Sequence, residues 1–110
     1  VKFADSVAVA NTDIPIGNLA RILKANGINT GRTRLFEWLR DNGYLIRARS
    51  SEYNTPTQKS LEMGLMTLKE HVIETGYDTM IKPTPKLTPK GQQFFINLFI
   101  DHPEYLNPKD

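Results

Sequence analysis

Thr30–Arg49, TGRTRLFEWLRDNGYLIRAR, carries the most informative structural signal in the chain. At 100° per residue, Leu35, Phe36, Trp38 and Leu39 fall on one broad apolar face, with Thr33, Arg34, Glu37, Arg40 and Asp41 on the other. Thr30 suits an N-cap and Asn42-Gly43 a C-terminal stop, so the spacing predicts a helix from about Gly31 to Asp41. Tyr44 to Arg49 then has strand character. A short helix with Arg32 and Arg34 in its first turn, leading straight into a basic strand, is the pattern of a winged helix-turn-helix facing DNA.

Upstream, Ile16, Leu19, Ala20 and Leu23 recur at i, i+3, i+4 and i+7, with Asn18, Arg21 and Lys24 opposite them. This helix stops at Asn26-Gly27, seven residues after Ala20, which makes the turn longer than in the shortest helix-turn-helix. Before it, Ile14-Pro15-Ile16 reads as a short extended piece, because a residue preceding proline is pushed out of the helical region. Phe3, Ala4, Val7 and Ala8 read as the end of a still earlier helix, closed by Asn11-Thr12-Asp13.

Downstream comes a polar loop, Ser50 to Thr57, then a single helical turn from Gln58 to Met63 closed by Gly64. Leu65–Ile73 and Met80–Leu87 read as two strands of a hairpin around Thr75-Gly76-Tyr77-Asp78. Pro83 and Pro85 place the second strand on a sheet edge, since proline cannot donate to a ladder. Thr88 and Pro89 open the last helix as cap and first helical residue. The expectation is a mainly α protein with a small antiparallel hairpin, of the α+β class: a winged helix-turn-helix with an added C-terminal helix.

A chain of 110 residues, 39% hydrophobic, fits one domain over residues 1–110. Because Val1 is not an initiator methionine and stands inside an apolar-periodic run, that domain is expected to be the C-terminal fragment of a longer regulator. The absence of cysteine excludes disulfides, thiolate zinc sites and cysteine nucleophiles, and suits a reducing compartment. Nothing approaches about 18 consecutive apolar residues, so a soluble cytoplasmic protein with no membrane partner is expected.

The net charge is only +2, but it is unevenly placed. Residues 21–49 hold seven basic and two acidic residues, residues 50–81 two basic and five acidic, and residues 82–100 three basic and none acidic. Two basic zones therefore flank an acidic one.

If the basic helix enters a major groove, Thr33, Arg34 and Glu37 are best placed to reach base edges, with Arg34 the leading candidate. Arg32, Arg40 and the backbone amides that follow Thr30 and Gly31 suit phosphate, aided by the helix dipole. Glu74 and Asp78 at the hairpin tip repel phosphate, so wing contacts are expected from its base: Arg47, Arg49, Lys82 and Lys86. The alternative for Arg34, Glu37, Arg40 and Asp41 is an ordinary intrahelical ion-pair face.

In the last helix, Phe94, Phe95, Ile96, Leu98, Phe99 and Ile100 cover about 240° of the wheel, more than docking on a small domain requires. Two readings stand. Either the N-terminal helix and the His102–Pro108 tail cover this surface, or Phe95, Ile96, Phe99 and Ile100 form a protein interface with a second copy or a repressor.

His71 and His102 lack acidic neighbours at metal-ligand spacing, and no phosphate-cradling glycine loop, nucleophile elbow or carboxylate pair is present. No metal, cofactor or catalytic residue is expected, and the chain does not read as an enzyme.

Gly31–Arg47, the Gly64-Leu65 strand start, and LTPKGQQFF from Leu87 to Phe95 together resemble the C-terminal domain of bacteriophage antirepressors, the ANT or KilA-C domain, over about residues 3–100. The resemblance implies a DNA-associated domain of a phage or prophage transcription regulator, working in the bacterial cytoplasm behind a separate N-terminal domain. It implies two partners, double-stranded DNA and a phage repressor, because many antirepressors act by binding the repressor.

Overall fold

The computed structural model describes residues 9–74, 76 and 79–106, excepting the side chains of residues 71, 73 and 79–82. The helix end expected around Phe3 to Ala8, the turn residues Thr75, Tyr77 and Asp78, and the side chain of Lys82 lie outside what is described. The elements run β1 (Ile14–Pro15), α1 (Ile16–Ala25), α2 (Arg32–Asp41), α3 (Gln58–Glu62), β2 (Met66–Glu74), β3 (Thr79–Leu87) and α4 (Pro89–Asp101), followed by a 3-10 turn at Pro103–Tyr105. Among the described residues the fold is α+β: four helices and a three-stranded antiparallel sheet.

Helix α1 forms as its periodicity dictates and buries Ile16, Leu19, Ala20 and Leu23. Helix α2 buries Leu35, Phe36 and Leu39. The two helices end in the same way. After α1, Gly27 takes φ +90, its N–H donates to the Lys24 carbonyl, and Ile28 N–H reaches back to Leu23. After α2, Gly43 takes φ +81, its N–H donates to Arg40, and Tyr44 N–H reaches Leu39. These bonds satisfy carbonyls that a helix end leaves open, and only glycine adopts the left-handed conformation freely. Each turn also drops an apolar residue, Ile28 or Leu45, into the core.

The sheet order is β1-β3-β2. Strands β2 and β3 pair along nine residues, from Met66 opposite Leu87 to Glu74 opposite Thr79. β3 is therefore central rather than an edge strand, though only Leu87 and Lys86 are covered by β1. Pro83 and Pro85 stand beyond that cover. The edge-strand expectation holds locally for them and fails for the strand as a whole, because a two-residue β1 is too short to be read as a partner.

The strand expected over Tyr44–Arg49 is absent. Leu45 makes one isolated bridge to Pro56, and Ile46 exchanges backbone bonds with Thr55 and Asn54 at 2.9 and 3.0 Å. The chain turns back at Asn54, φ 66, before a second extended run can face the first. Strand propensity without a partner strand leaves a loop.

Helix α4 is seated as its first residues predict. Thr88 Oγ1 accepts the Gly91 N–H at 2.9 Å and donates to the Gly64 carbonyl at 2.6 Å, while Thr88 N–H donates to Leu65 at 3.0 Å. Gly91 allows this approach, because a Cβ there would overlap the Leu65 carbonyl. Next to it, buried Gln92 accepts from Ala10 N–H at 2.8 Å and donates to the Thr12 carbonyl at 2.9 Å, clamping the segment before β1.

The wide apolar wheel of α4 is used within the chain. Phe95, Ile96 and Phe99 are at most 1% exposed, and Ile100 packs partly buried against the same core. The protein interface expected at these residues is corrected: tail residue Leu106 is fully buried, and Trp38 stacks on Tyr44 and Tyr105 with its ring edge-on to Phe99. A single helix needs so wide an apolar face because α1, α2, the sheet and the tail enclose it.

Candidate nucleic-acid interface

Helices α1 and α2 pack on each other across the 26–31 turn, which brings the polar side of α1 beside the first turn of α2. The N-cap of α2 is Gly31, with extended backbone and no side-chain cap bond. Thr30, the expected cap, is instead buried at 6% exposure, and its hydroxyl has no partner among the described residues. With its hydroxyl buried, Thr30 makes no cap bond to the start of α2. The first-turn amides of α2 consequently lack a capping side chain and present the positive end of the helix dipole.

Along α2, Arg32, Thr33 and Glu37 are exposed and Arg34 is half-buried. The Arg32 guanidinium lies over the Phe36 ring at 4.5 Å, and its stem passes Gly17 of α1, where a Cβ would come within 3.4 Å. Packing on the ring holds the charge at the helix start. Thr33, Arg34 and Glu37 make no side-chain hydrogen bond, ion pair or ring contact with any other described residue. The intrahelical ion-pair face considered for this helix therefore does not form among the described residues.

The other basic residues gather at the far end of α2, about 15 Å away along a ten-residue helix. Arg40 Nη1 donates to Asn54 Oδ1 at 2.7 Å, and its guanidinium stands 5.2 Å from the centre of the Tyr53 ring. Arg49 lies over the same ring at 4.5 Å. Arg47 faces Asp41 at 3.9 Å, with both side chains largely exposed. Arg40, a phosphate candidate by sequence, thus has its guanidinium engaged in shaping the 44–57 loop. Lys86, half-buried in β3, stands in register between Pro15 and Thr67 and joins neither group.

The basic segment that is continuous in sequence is therefore two clusters in space. One holds Arg32 with Arg21 and Lys24 of α1, which together line a cavity of about 560 Å³. The other holds Arg40, Arg47 and Arg49 around Tyr53. Sequence reasoning missed Arg21 and Lys24 as partners of Arg32. Their spacing of three on the polar side of α1 was the available signal, but only the helix packing shows what that side meets. Among the described residues, no cluster of three or more metal-ligating side chains exists, and no helix is long and apolar enough to cross a membrane.

A small α+β module with a helix pair, an uncapped basic helix start and a hairpin is the class these features define. The chain belongs to the phage antirepressor KilAC domain family, whose model matches residues 1–102. It is 42% identical over 101 residues to protein kilA of Escherichia phage P1, covering 92% of this chain and 35% of that protein. Antirepressor protein 1 of the same phage is 40% identical over 85 residues, covering 76% of this chain and 24% of that protein. YoqD of the SPbeta prophage of Bacillus subtilis (strain 168) is 34% identical over 94 residues, covering 84% of this chain and 34% of that protein. The chain thus spans about a third or less of the relatives it matches. No solved structure matches it.

Proposed function

We propose that this domain is a winged helix-turn-helix that binds double-stranded DNA through the first half of α2, as the C-terminal module of a longer phage or prophage transcription regulator in the bacterial cytoplasm. The observation that carries the reading is the free first half of α2. Its first turn is uncapped, and Thr33, Arg34 and Glu37 have no competing partner among the described residues. Unpartnered polar side chains at a helix start are what base reading needs. Arg34 reads a base edge. Gly31 and Arg32 hold phosphate beside Thr30. Arg47, Arg49 and Lys86 add charge at the flanks, and Arg40 positions the loop that carries Arg47 and Arg49.

The test is binding of the chain to duplex DNA against salt, with the intact regulator in parallel. Each neutralised phosphate lowers the log-log slope by about 0.9. Arg32→Ala should flatten that slope by about one phosphate, whereas Arg34→Ala should relax base preference at one position. Absence of binding at low salt in both forms refutes the reading, and equal effects of the two variants on every sequence remove Arg34 from base reading.

A second reading, capture of a phage repressor or of another copy of the chain, is favoured by one observation. Leu68 and Val72, four residues apart on β2 and so on one face, are both exposed. This moves the expected protein surface from α4 to the hairpin. Val72→Lys would abolish repressor binding while leaving DNA binding intact.

A further inference from the structure

The cavity between α1, the start of α2 and β3 is larger and more apolar than a phosphate contact on a helix end requires. Its volume of about 560 Å³ lies in the range of small-molecule sites. Three cationic side chains, Arg21, Lys24 and Arg32, stand in its wall, and among the described residues no carboxylate lines it. Ile16, Ala20 and Phe36 supply an apolar floor, and Phe36 carries the Arg32 guanidinium on its ring. Gly31 opens α2 at the cavity without a side-chain cap, so the first-turn amides remain available to an anion.

Thr30 is the independent observation. It lines the cavity, it is 6% exposed, and its Oγ1 is buried with no partner among the described residues. A hydroxyl buried without a partner is unfavourable, and such groups usually mark a missing ligand or ion.

We infer that this cavity is a seat for an organic phosphate ester. The phosphate meets the α2 amides, the Thr30 hydroxyl and the cations of Arg32, Arg21 and Lys24, and the organic part rests on the Phe36 side. Phosphate rather than a simple carboxylate fits this convergence, because several oxygens can accept from amides, hydroxyl and guanidinium together. The ester has two sources, a free small molecule or the sugar-phosphate of a bound nucleic acid. The seat does not depend on base reading by Arg34.

The experiment is calorimetric titration of the full chain with thymidine monophosphate, using thymidine and inorganic phosphate as controls. Saturable binding of the monophosphate is expected, with both controls weaker by about tenfold or more. Thr30→Val should weaken binding by about threefold to tenfold while leaving the thermal midpoint unchanged or raised, because the isostere removes an unpartnered hydroxyl. Lys24→Ala should weaken binding without unfolding the protein, since this exposed side chain has no partner among the described residues. Duplex DNA that displaces the monophosphate assigns the seat to the nucleic-acid backbone, and simultaneous binding of both assigns it to a free ligand. The inference is overturned if the monophosphate shows no saturable binding, if thymidine binds equally well, or if Thr30→Val lowers the thermal midpoint and leaves affinity unchanged. The DNA reading has its own failure, loss of duplex binding at low salt, which can occur while the monophosphate still binds.

Discussion

Gly91→Ala is the most discriminating test of how α4 is seated. In a free helix the change is favourable, since alanine exceeds glycine in helix propensity by about 0.8–1 kcal/mol. Here the added Cβ would overlap the Leu65 carbonyl oxygen and lie 2.8 Å from the carbonyl carbon. The obstacle is backbone, which cannot swing aside as a side chain can. Either α4 or the Gly64-Leu65 turn must shift, at a cost of about 1–3 kcal/mol for overpacking. The shift also pulls on the bonds from Thr88 N–H to Leu65 at 3.0 Å and from Thr88 Oγ1 to Gly64 at 2.6 Å, so part of the cap, worth about 0.5–2 kcal/mol, goes with it. After subtracting the propensity gain, the expected loss is about 1–4 kcal/mol. The thermal midpoint should fall by about 5–20 °C for a domain of this size. Trp38, the one tryptophan, stacks between Tyr44 and Tyr105 and packs against Phe99 of α4, so its fluorescence in urea reports the transition. Gly17→Ala is the matched control: its Cβ would meet only the flexible Arg32 side chain at 3.4 Å, and stability should move by less than about 1 kcal/mol. If Gly91→Ala is as stable as the parent or more so, the close approach of α4 to Leu65 is wrong.

Gln92→Leu should destabilise by about 1–3 kcal/mol in the same urea assay, because Ala10 N–H and the Thr12 carbonyl lose their buried partner. Arg40→Ala and Arg34→Ala should separate: the first costs about 1 kcal/mol and speeds amide exchange in the 44–57 loop, because the bond to Asn54 goes, while the second changes stability by less than about 0.5 kcal/mol. Equal stability losses from the two would contradict the division of α2 into a reading end and a structural end. Phe99→Asp should unfold the domain rather than report on association, since a carboxylate would replace a fully buried ring, and circular dichroism would show helix loss.

Features that depend on residues a few positions apart are written in the local sequence. The burial of Ile16, Leu19, Ala20 and Leu23, the Asn-Gly stops after α1 and α2, and the Thr88-Pro89 start of α4 all follow from helical periodicity and capping, which act within one or two turns. The α+β class was legible from the same local patterns, and the family from the resemblance of the Gly31–Arg47 and Leu87–Phe95 segments to antirepressor C-terminal domains. How distant segments meet emerges only from long-range packing. It left Tyr44–Arg49 a loop for want of a partner strand, and it sent Thr30 inward, so that an expected cap became an unpartnered hydroxyl in a cavity wall. It enclosed Phe95, Ile96 and Phe99 within the chain and gave Arg40 to Asn54, while leaving Arg34 without a partner among the described residues. An arginine on a helical wheel has a direction but no neighbour. Its role is set by what long-range packing brings within about 4 Å, and that is not encoded in local spacing.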